Sequence, residues 1–76
     1  MKKFIVRITE DSKENGWDIL SDQEFRLFRD AKAFALEQEQ KLQKDWRLIS
    51  RYEKAFNFKS VFSKNGEIRT IGIIKK

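Results

Sequence analysis

Phe58-Lys59-Ser60-Val61-Phe62-Ser63-Lys64-Asn65-Gly66-Glu67-Ile68-Arg69-Thr70-Ile71-Gly72-Ile73-Ile74 decides the fold. Asn65-Gly66 between two alternating runs is the strongest short hairpin signal, because both residues tolerate the positive φ of a type I′ turn. A two-residue loop sets the register. Lys64 faces Glu67, Ser63 faces Ile68, Phe62 faces Arg69, Ser60 faces Ile71 and Phe58 faces Ile73. One face then carries Phe58, Phe62, Ile71 and Ile73, and the other Lys59, Val61, Ile68, Thr70 and Ile74. A slip of one residue would exchange the two faces, so the register determines which residues are buried.

Upstream, Trp46, Leu48 and Tyr52 alternate with Arg47, Ile49 and Arg51, which reads as another strand. A break falls near residues 54–57. Residues 31–44 are rich in Ala, Leu, Glu, Gln and Lys, all strong helix formers. Ala31, Phe34, Ala35 and Leu42 form a thin apolar stripe interrupted by Gln38, and residues 37–44 read mostly as a solvated face. At the start of the chain, Phe4, Val6 and Ile8 alternate with Lys3, Ile5, Arg7 and Thr9 in a half-buried strand. A polar turn ending in Asn15-Gly16 returns the chain through Trp17, Ile19 and Leu20. Residues 21–29 admit two readings. Ser21-Asp22-Gln23-Glu24 has the form of a capping box, which would start a long helix at residue 22. Alternatively Asp22-Gln23 is a turn, Glu24–Phe28 is a short strand and Asp30 caps the helix. The alternation of Phe25 and Leu27 with Glu24 and Arg26 favours the strand.

These elements predict an α+β fold across residues 1–76 as a single domain. The expected architecture is an antiparallel sheet of four to five strands with a single α-helix on one face, ββ(β)αβββ. One helix covers one face of a sheet, so the other face is either solvated or an interface. A chain of 76 residues buries only about 60% of its unfolded surface, which makes its stability marginal.

Composition narrows the chemistry. There is no Cys and no His, which argues against zinc, haem and iron–sulfur sites and excludes thiol catalysis. It also removes the commonest general base. Glu10-Asp11-Ser12-Lys13-Glu14-Asn15-Gly16 is acidic, but Lys13 occupies the third position of a would-be calcium loop and the twelfth-position Glu is missing. No motif pairs two carboxylates for acid/base work, and isolated glycines make no phosphate loop. The expectation is a protein that is not an enzyme and has neither cofactor nor metal. No apolar run approaches the roughly 18–20 residues of a membrane span. Met1-Lys2-Lys3 begins like a signal peptide, but Arg7 and Glu10 interrupt its apolar part, which reads as a mature cytoplasmic start.

Charge is the most informative feature. The net charge is +5: residues 1–29 are neutral, residues 30–45 carry −1 and residues 46–76 carry +6. The excess therefore lies on the C-terminal strands. By strand parity Lys3, Arg7, Arg47, Arg51 and Lys59 share the open face, with Ile5, Ile49 and Val61 between them. Such a face suits a phosphate backbone or an acidic protein surface, and it also serves as plain solubilising surface. Lys54-Ala55-Phe56-Asn57-Phe58-Lys59 resembles the basic-aromatic strand motif of RNA-recognition and cold-shock domains, whose exposed Phe rings stack on bases. Ala55 and Asn57 replace both motif glycines, and the favoured reading places Phe56 and Phe58 in the core. Trp17 and Trp46 are likewise expected in the core, with a place as a rim anchor the alternative for either. The candidate functions are two: a small binding module for nucleic acid through Lys3, Arg7, Arg47, Arg51 and Lys59, or a protein-interaction module. The second would be a small inhibitor or regulator of the mobile-element or phage type. It would dock on an acidic partner or add a strand at the edge Glu67–Ile74, where a homodimer could also form in place of a monomer.

Overall fold

The computed structural model describes residues 3–76. The reading of Met1 and Lys2 as a mature start lies outside these residues. The order of elements is β1 (Phe4–Ser12), β2 (Gly16–Phe25), α1 (Phe28–Leu42), β3 (Arg47–Lys54), β4 (Asn57–Lys64) and β5 (Glu67–Lys75). The five strands form one antiparallel sheet in the order β2-β1-β5-β4-β3, with α1 packed against one face. The predicted α+β class and ββαβββ order are observed. No helix among the described residues is long and apolar enough to cross a membrane.

The β4–β5 hairpin adopts the register expected from its sequence, from Lys64↔Glu67 through Ser60↔Ile71 to Phe58↔Ile73. Asn65 and Gly66 have φ of 52° and 83°, the double positive φ of a type I′ turn. The last strand is not an edge. β5 lies between β1 and β4, and the edges are β2 and β3. Antiparallel pairing of the first and last strands buries Ile71 and Ile73 at the centre of the sheet, which an edge position would leave half wet.

Residues 22–25 are extended, but as the end of β2, which runs through Asp22-Gln23 without the expected turn and stops at Phe25. Leu27 and Phe28 belong to the helix start and not to a separate strand. The helix begins earlier than expected. Its N-cap is Leu27, without a side-chain cap, and Asp30 sits in the first turn, where its charge suits the helix dipole. Phe28 starts the helix because its ring docks edge-on against Phe4, with centroids 5.5 Å apart. Tertiary packing outweighs a missing cap worth about 1 kcal/mol.

The core consists of Phe4, Val6, Phe58, Phe62, Ile71 and Ile73 from the sheet and Ala31 and Ala35 from the helix. Ala31, Ala35 and Glu39 are the three buried helix residues, spaced four apart on one face. Small side chains at the first two let the helix lie close to Phe62 and Ile71, which are fully buried. The third is a correction to the solvated face expected over residues 37–44, because Glu39 is only 6% exposed. Ser60, itself fully buried, donates its hydroxyl hydrogen to Glu39 Oε2. Arg51 Nε donates to the same oxygen at 3.0 Å. The stripe on α1 therefore continues through a carboxylate that is hydrogen-bonded and paired, which is the condition for burying it.

Two predictions follow from this packing. Glu39→Ala leaves the Ser60 hydroxyl buried without a partner and Arg51 short of one, at a cost of about 2–3 kcal/mol. Glu39→Met combined with Ser60→Ala removes both polar groups and restores stability to within about 1 kcal/mol of wild type; urea unfolding distinguishes the two. Ala55 holds φ of 52° in the β3–β4 turn, a left-handed conformation that strains a residue with a Cβ. Ala55→Gly relieves it and raises stability by about 0.5–1 kcal/mol, measurable in the same titration.

Candidate functional site

The uncovered face of the sheet is the candidate site, and its composition follows from strand pairing. Directly paired residues share a face, so the ladders define rows across the sheet. The central row is Asp22, Arg7, Gly72, Lys59, Tyr52. On one side of it lies Ile19, Thr9, Thr70, Val61, Ser50, and beyond that Trp17, Asp11, Ile68, Ser63, Arg47. Ile5 and Ile74 pair on the other side, next to Glu24. Neighbouring rows contribute residues two apart in each strand, and neighbouring strands lie about 4.8 Å apart.

Four of the five cations expected on this face have the parity for it: Lys3, Arg7, Arg47 and Lys59. Arg51 does not. A bulge at Ile49 makes Leu48 pair with Phe62 and Ser50 with Val61, so Arg51 pairs with Ser60 on the helix side. An unbroken ladder would have placed it beside Lys59. One extra residue inverts every side chain after it. Arg51 instead bonds Glu39, lies 3.3 Å from Glu53 and stacks over the Phe58 ring at 5.3 Å. The same inversion brings Tyr52 onto the open face, 52% exposed, where the unbroken alternation placed it in the core.

A second bulge, at Leu20, acts the same way on β2. Ile8 pairs with Ser21 and Thr9 with Ile19, so Trp17 lands opposite Asp11 on the open face. Trp17 is 63% exposed, which corrects its expected place in the core. Trp46 is half-buried, packed against the core, and covered by Arg69 at 4.6 Å and Lys64 at 5.9 Å. Phe58 is buried as expected, whereas Phe56 is 60% exposed and packs edge-on to Phe28 at 5.4 Å.

The charges on the open face are segregated. Arg7 Nε and Nη2 donate to the two carboxylate oxygens of Asp22 at 2.8 and 2.9 Å. This pairing pulls the Asp22 carboxyl below its usual range and raises the Arg7 guanidinium further, mainly through the hydrogen bonds. Lys76 pairs with Glu24 at 2.8 Å. Toward the β3 edge the cations of this face have no counter-ion, and neither does Lys3, which lies beside Phe25 of β2. Among the described residues, Lys3, Arg47, Lys54 and Lys59 form no ion pair. Lys54 was absent from the predicted set, although its parity with Tyr52 would have included it once the bulge was known.

The centre of the face is a shallow depression of about 240 Å³, lined by Arg7, Thr9, Lys59, Thr70, Gly72 and Ile74 among others. A larger groove of about 350 Å³ lies on the helix side between α1 and β2, lined by Ile8, Leu20, Leu42, Trp46 and Arg69 among others. Arg69 is already engaged there, 2.9 Å from Glu10 and stacked on Trp46. Among the described residues no cluster of carboxylates is arranged to hold a metal ion. Compared with models of protein families, with curated proteins and with solved structures, the chain matches none.

Both carboxylates with lowered pKa give a sign for acid stability. Asp22 is lowered by Arg7, and Glu53 by its hydrogen bond from Lys32 and then by the charges of Lys32 and Arg51. Each favours folding above its unfolded pKa of about 4, and that contribution is lost as pH falls through the lower folded value. Asp22→Asn with Glu53→Gln therefore loses less thermal stability between pH 7 and pH 3 than wild type does. Parallel melting curves at the two pH values check this.

Proposed function

We propose that this protein is a small, non-catalytic binding module that holds a nucleic-acid strand on its uncovered sheet face. The observation that carries the reading is the set of cations without counter-ions there: Lys59, Arg47, Lys54 and Lys3. Long cationic side chains on a semi-apolar surface neutralise phosphates, and the counter-ions released supply affinity without base specificity. Val61, Ile68 and Ile74 lie between them, and Tyr52 beside Lys59 offers a ring for stacking. The non-catalytic part of the reading is supported by the placing of the one buried carboxylate among the described residues. Glu39, the buried carboxylate next to a hydroxyl, is sealed between helix and sheet at 6% exposure, where no substrate reaches it. A cytoplasmic setting suits a chain without cysteine, since disulfides are the mark of oxidising compartments.

A second reading, a docking surface for another protein, rests on Trp17, Ile19 and Leu20, which are 63%, 38% and 45% exposed at the β2 rim. Strand addition at either edge has less support. Both β2 and β3 carry a bulge and charged residues, the devices that block edge pairing.

Fluorescence anisotropy of a labelled single strand and a labelled duplex decides between the readings. With three or four phosphates neutralised, affinity for the single strand falls about 20- to 50-fold between 50 and 200 mM salt. Arg47→Glu with Lys59→Glu lowers it at least tenfold while circular dichroism stays unchanged. An absence of binding at 50 mM salt overturns the nucleic-acid reading and leaves the Trp17 rim as the surface to pursue.

A further inference from the structure

Gly72 occupies the middle of the central strand, between Arg7 on β1 and Lys59 on β4. Glycine weakens a strand interior, so its presence there calls for a cause. Backbone conformation is not the cause, because Gly16 and Gly66 are the glycines with positive φ. Packing is not the cause either. A Cβ at Gly72 would meet only the Phe58 carbonyl oxygen at 3.9 Å, an ordinary contact. Neither the backbone conformation nor the space around a Cβ accounts for the glycine. The ladders on both sides of Gly72 are regular, so it marks no bulge, and close approach of a ligand to the backbone is a further established reason for glycine in a strand.

The surroundings of the gap fit one chemistry. Arg7 and Lys59 flank it two strand spacings apart, about 10 Å between backbones. Asp22 engages Arg7 through Nε and Nη2 and so fixes the guanidinium, leaving Nη1 unengaged. Lys59 forms no ion pair among the described residues. The Thr9 and Thr70 side chains line the same depression and pair with each other across β1 and β5. Two cationic residues in the same row on either side of a bare backbone position, both lining the depression with hydroxyl groups beside them, make a seat for a compact, hydrogen-bonding anion. At about 240 Å³ and widely open, the depression suits a single group on a chain. Tyr52 continues the row beyond Lys59 and stands where the adjoining base would lie.

We infer that the Gly72 gap seats one backbone phosphate of the bound strand, with Arg7 and Lys59 as its ligands and Asp22 as the positioning residue for Arg7. This rests on the open-face reading above and adds to it the point at which the strand is held.

The test is Gly72→Val, which fills the gap with a good strand former, with Gly72→Ala as a milder version should the first fail to fold. Probes are labelled oligo(dT) and oligo(U), titrated at several salt concentrations, with melting temperatures measured in parallel. Gly72→Val is expected to melt at or above the wild-type temperature yet bind both probes at least tenfold more weakly. Loss of one phosphate contact also lowers the slope of log affinity against log salt by about 1. Asp22→Asn removes both the anchor of Arg7 and an anionic neighbour, effects of opposite sign, and leaves affinity for both probes closer to wild type than Gly72→Val does. A folded Gly72→Val or Gly72→Ala protein with wild-type affinity and slope overturns the seat. If Arg47→Glu with Lys59→Glu still abolishes binding in that case, the open face stands without it. A loss confined to oligo(U) overturns the phosphate assignment, because the 2′-hydroxyl would then be the group recognised. A wild-type protein that binds neither probe at 50 mM salt overturns both the seat and the open-face reading.

Discussion

One helix has to seal a five-stranded sheet, and most of the molecule follows from that constraint. A 15-residue helix is about 22 Å long and covers the middle of a sheet whose outer strands lie about 19 Å apart. Burial is accordingly concentrated on β1, β5 and β4, and β2 has no fully buried residue. The helix comes close because Ala31 and Ala35 face the sheet, and aromatic rings fill its flanks. Phe25 meets Phe34 at 5.4 Å, and Phe28 meets Phe4 and Phe56. Where the helix reaches Ser60 and Arg51, the contact turns polar and Glu39 completes it. That site tethers the helix to β4 and β3 in one register, because a carboxylate buried elsewhere would lack its donors.

The two bulges decide what the uncovered face presents. Each adds a single residue, Leu20 on β2 and Ile49 on β3, and each inverts the remainder of its strand. Their joint effect is chemical. Trp17 and Tyr52 reach the open face, one near each edge, and Arg51 leaves it to neutralise Glu39 under the sheet. Both bulged strands are edges, where an added residue interrupts only one ladder and at the same time makes the edge a poor template for another chain.

Segregated charge gives the open face a direction. On the β2 side Asp22 and Glu24 are matched by Arg7 and Lys76, whereas Arg47, Lys54 and Lys59 on the open face of β3 and β4 form no ion pair among the described residues. On the proposed reading, an anionic strand would favour the β3–β4 half and the central depression over the opposite rim. The same asymmetry leaves Trp17 beside Asp11, in surroundings suited to a neutral or cationic surface.

Much of this was legible in the chain. Asn65-Gly66 and the flanking alternation determined the β4–β5 register and the sorting of Phe58, Phe62, Ile71 and Ile73 into the core. A two-residue turn and a period of two leave little freedom, so local chemistry sufficed. The single helix, the bare second face and the parity of Lys3, Arg7, Arg47 and Lys59 followed from the same periodicity. Three things depended on tertiary structure. The place of β5 at the centre is a matter of long-range pairing, which no local signal encodes. Bulges were invisible because neither Leu20 nor Ile49 differs in type from a regular strand residue, and so Arg51 was assigned to the wrong face. The burial of Glu39 required Ser60 and Arg51, 21 and 12 residues away, to meet at one point. Gly72 lies between these cases: its presence in a strand was readable, but only the tertiary structure revealed that neither the backbone conformation nor the space around a Cβ accounts for it. Sequence alone determined which residues alternate, since that is a property of neighbours. Only the tertiary structure decided which face each alternation serves, since one inserted residue in an edge strand reverses it at almost no energetic cost.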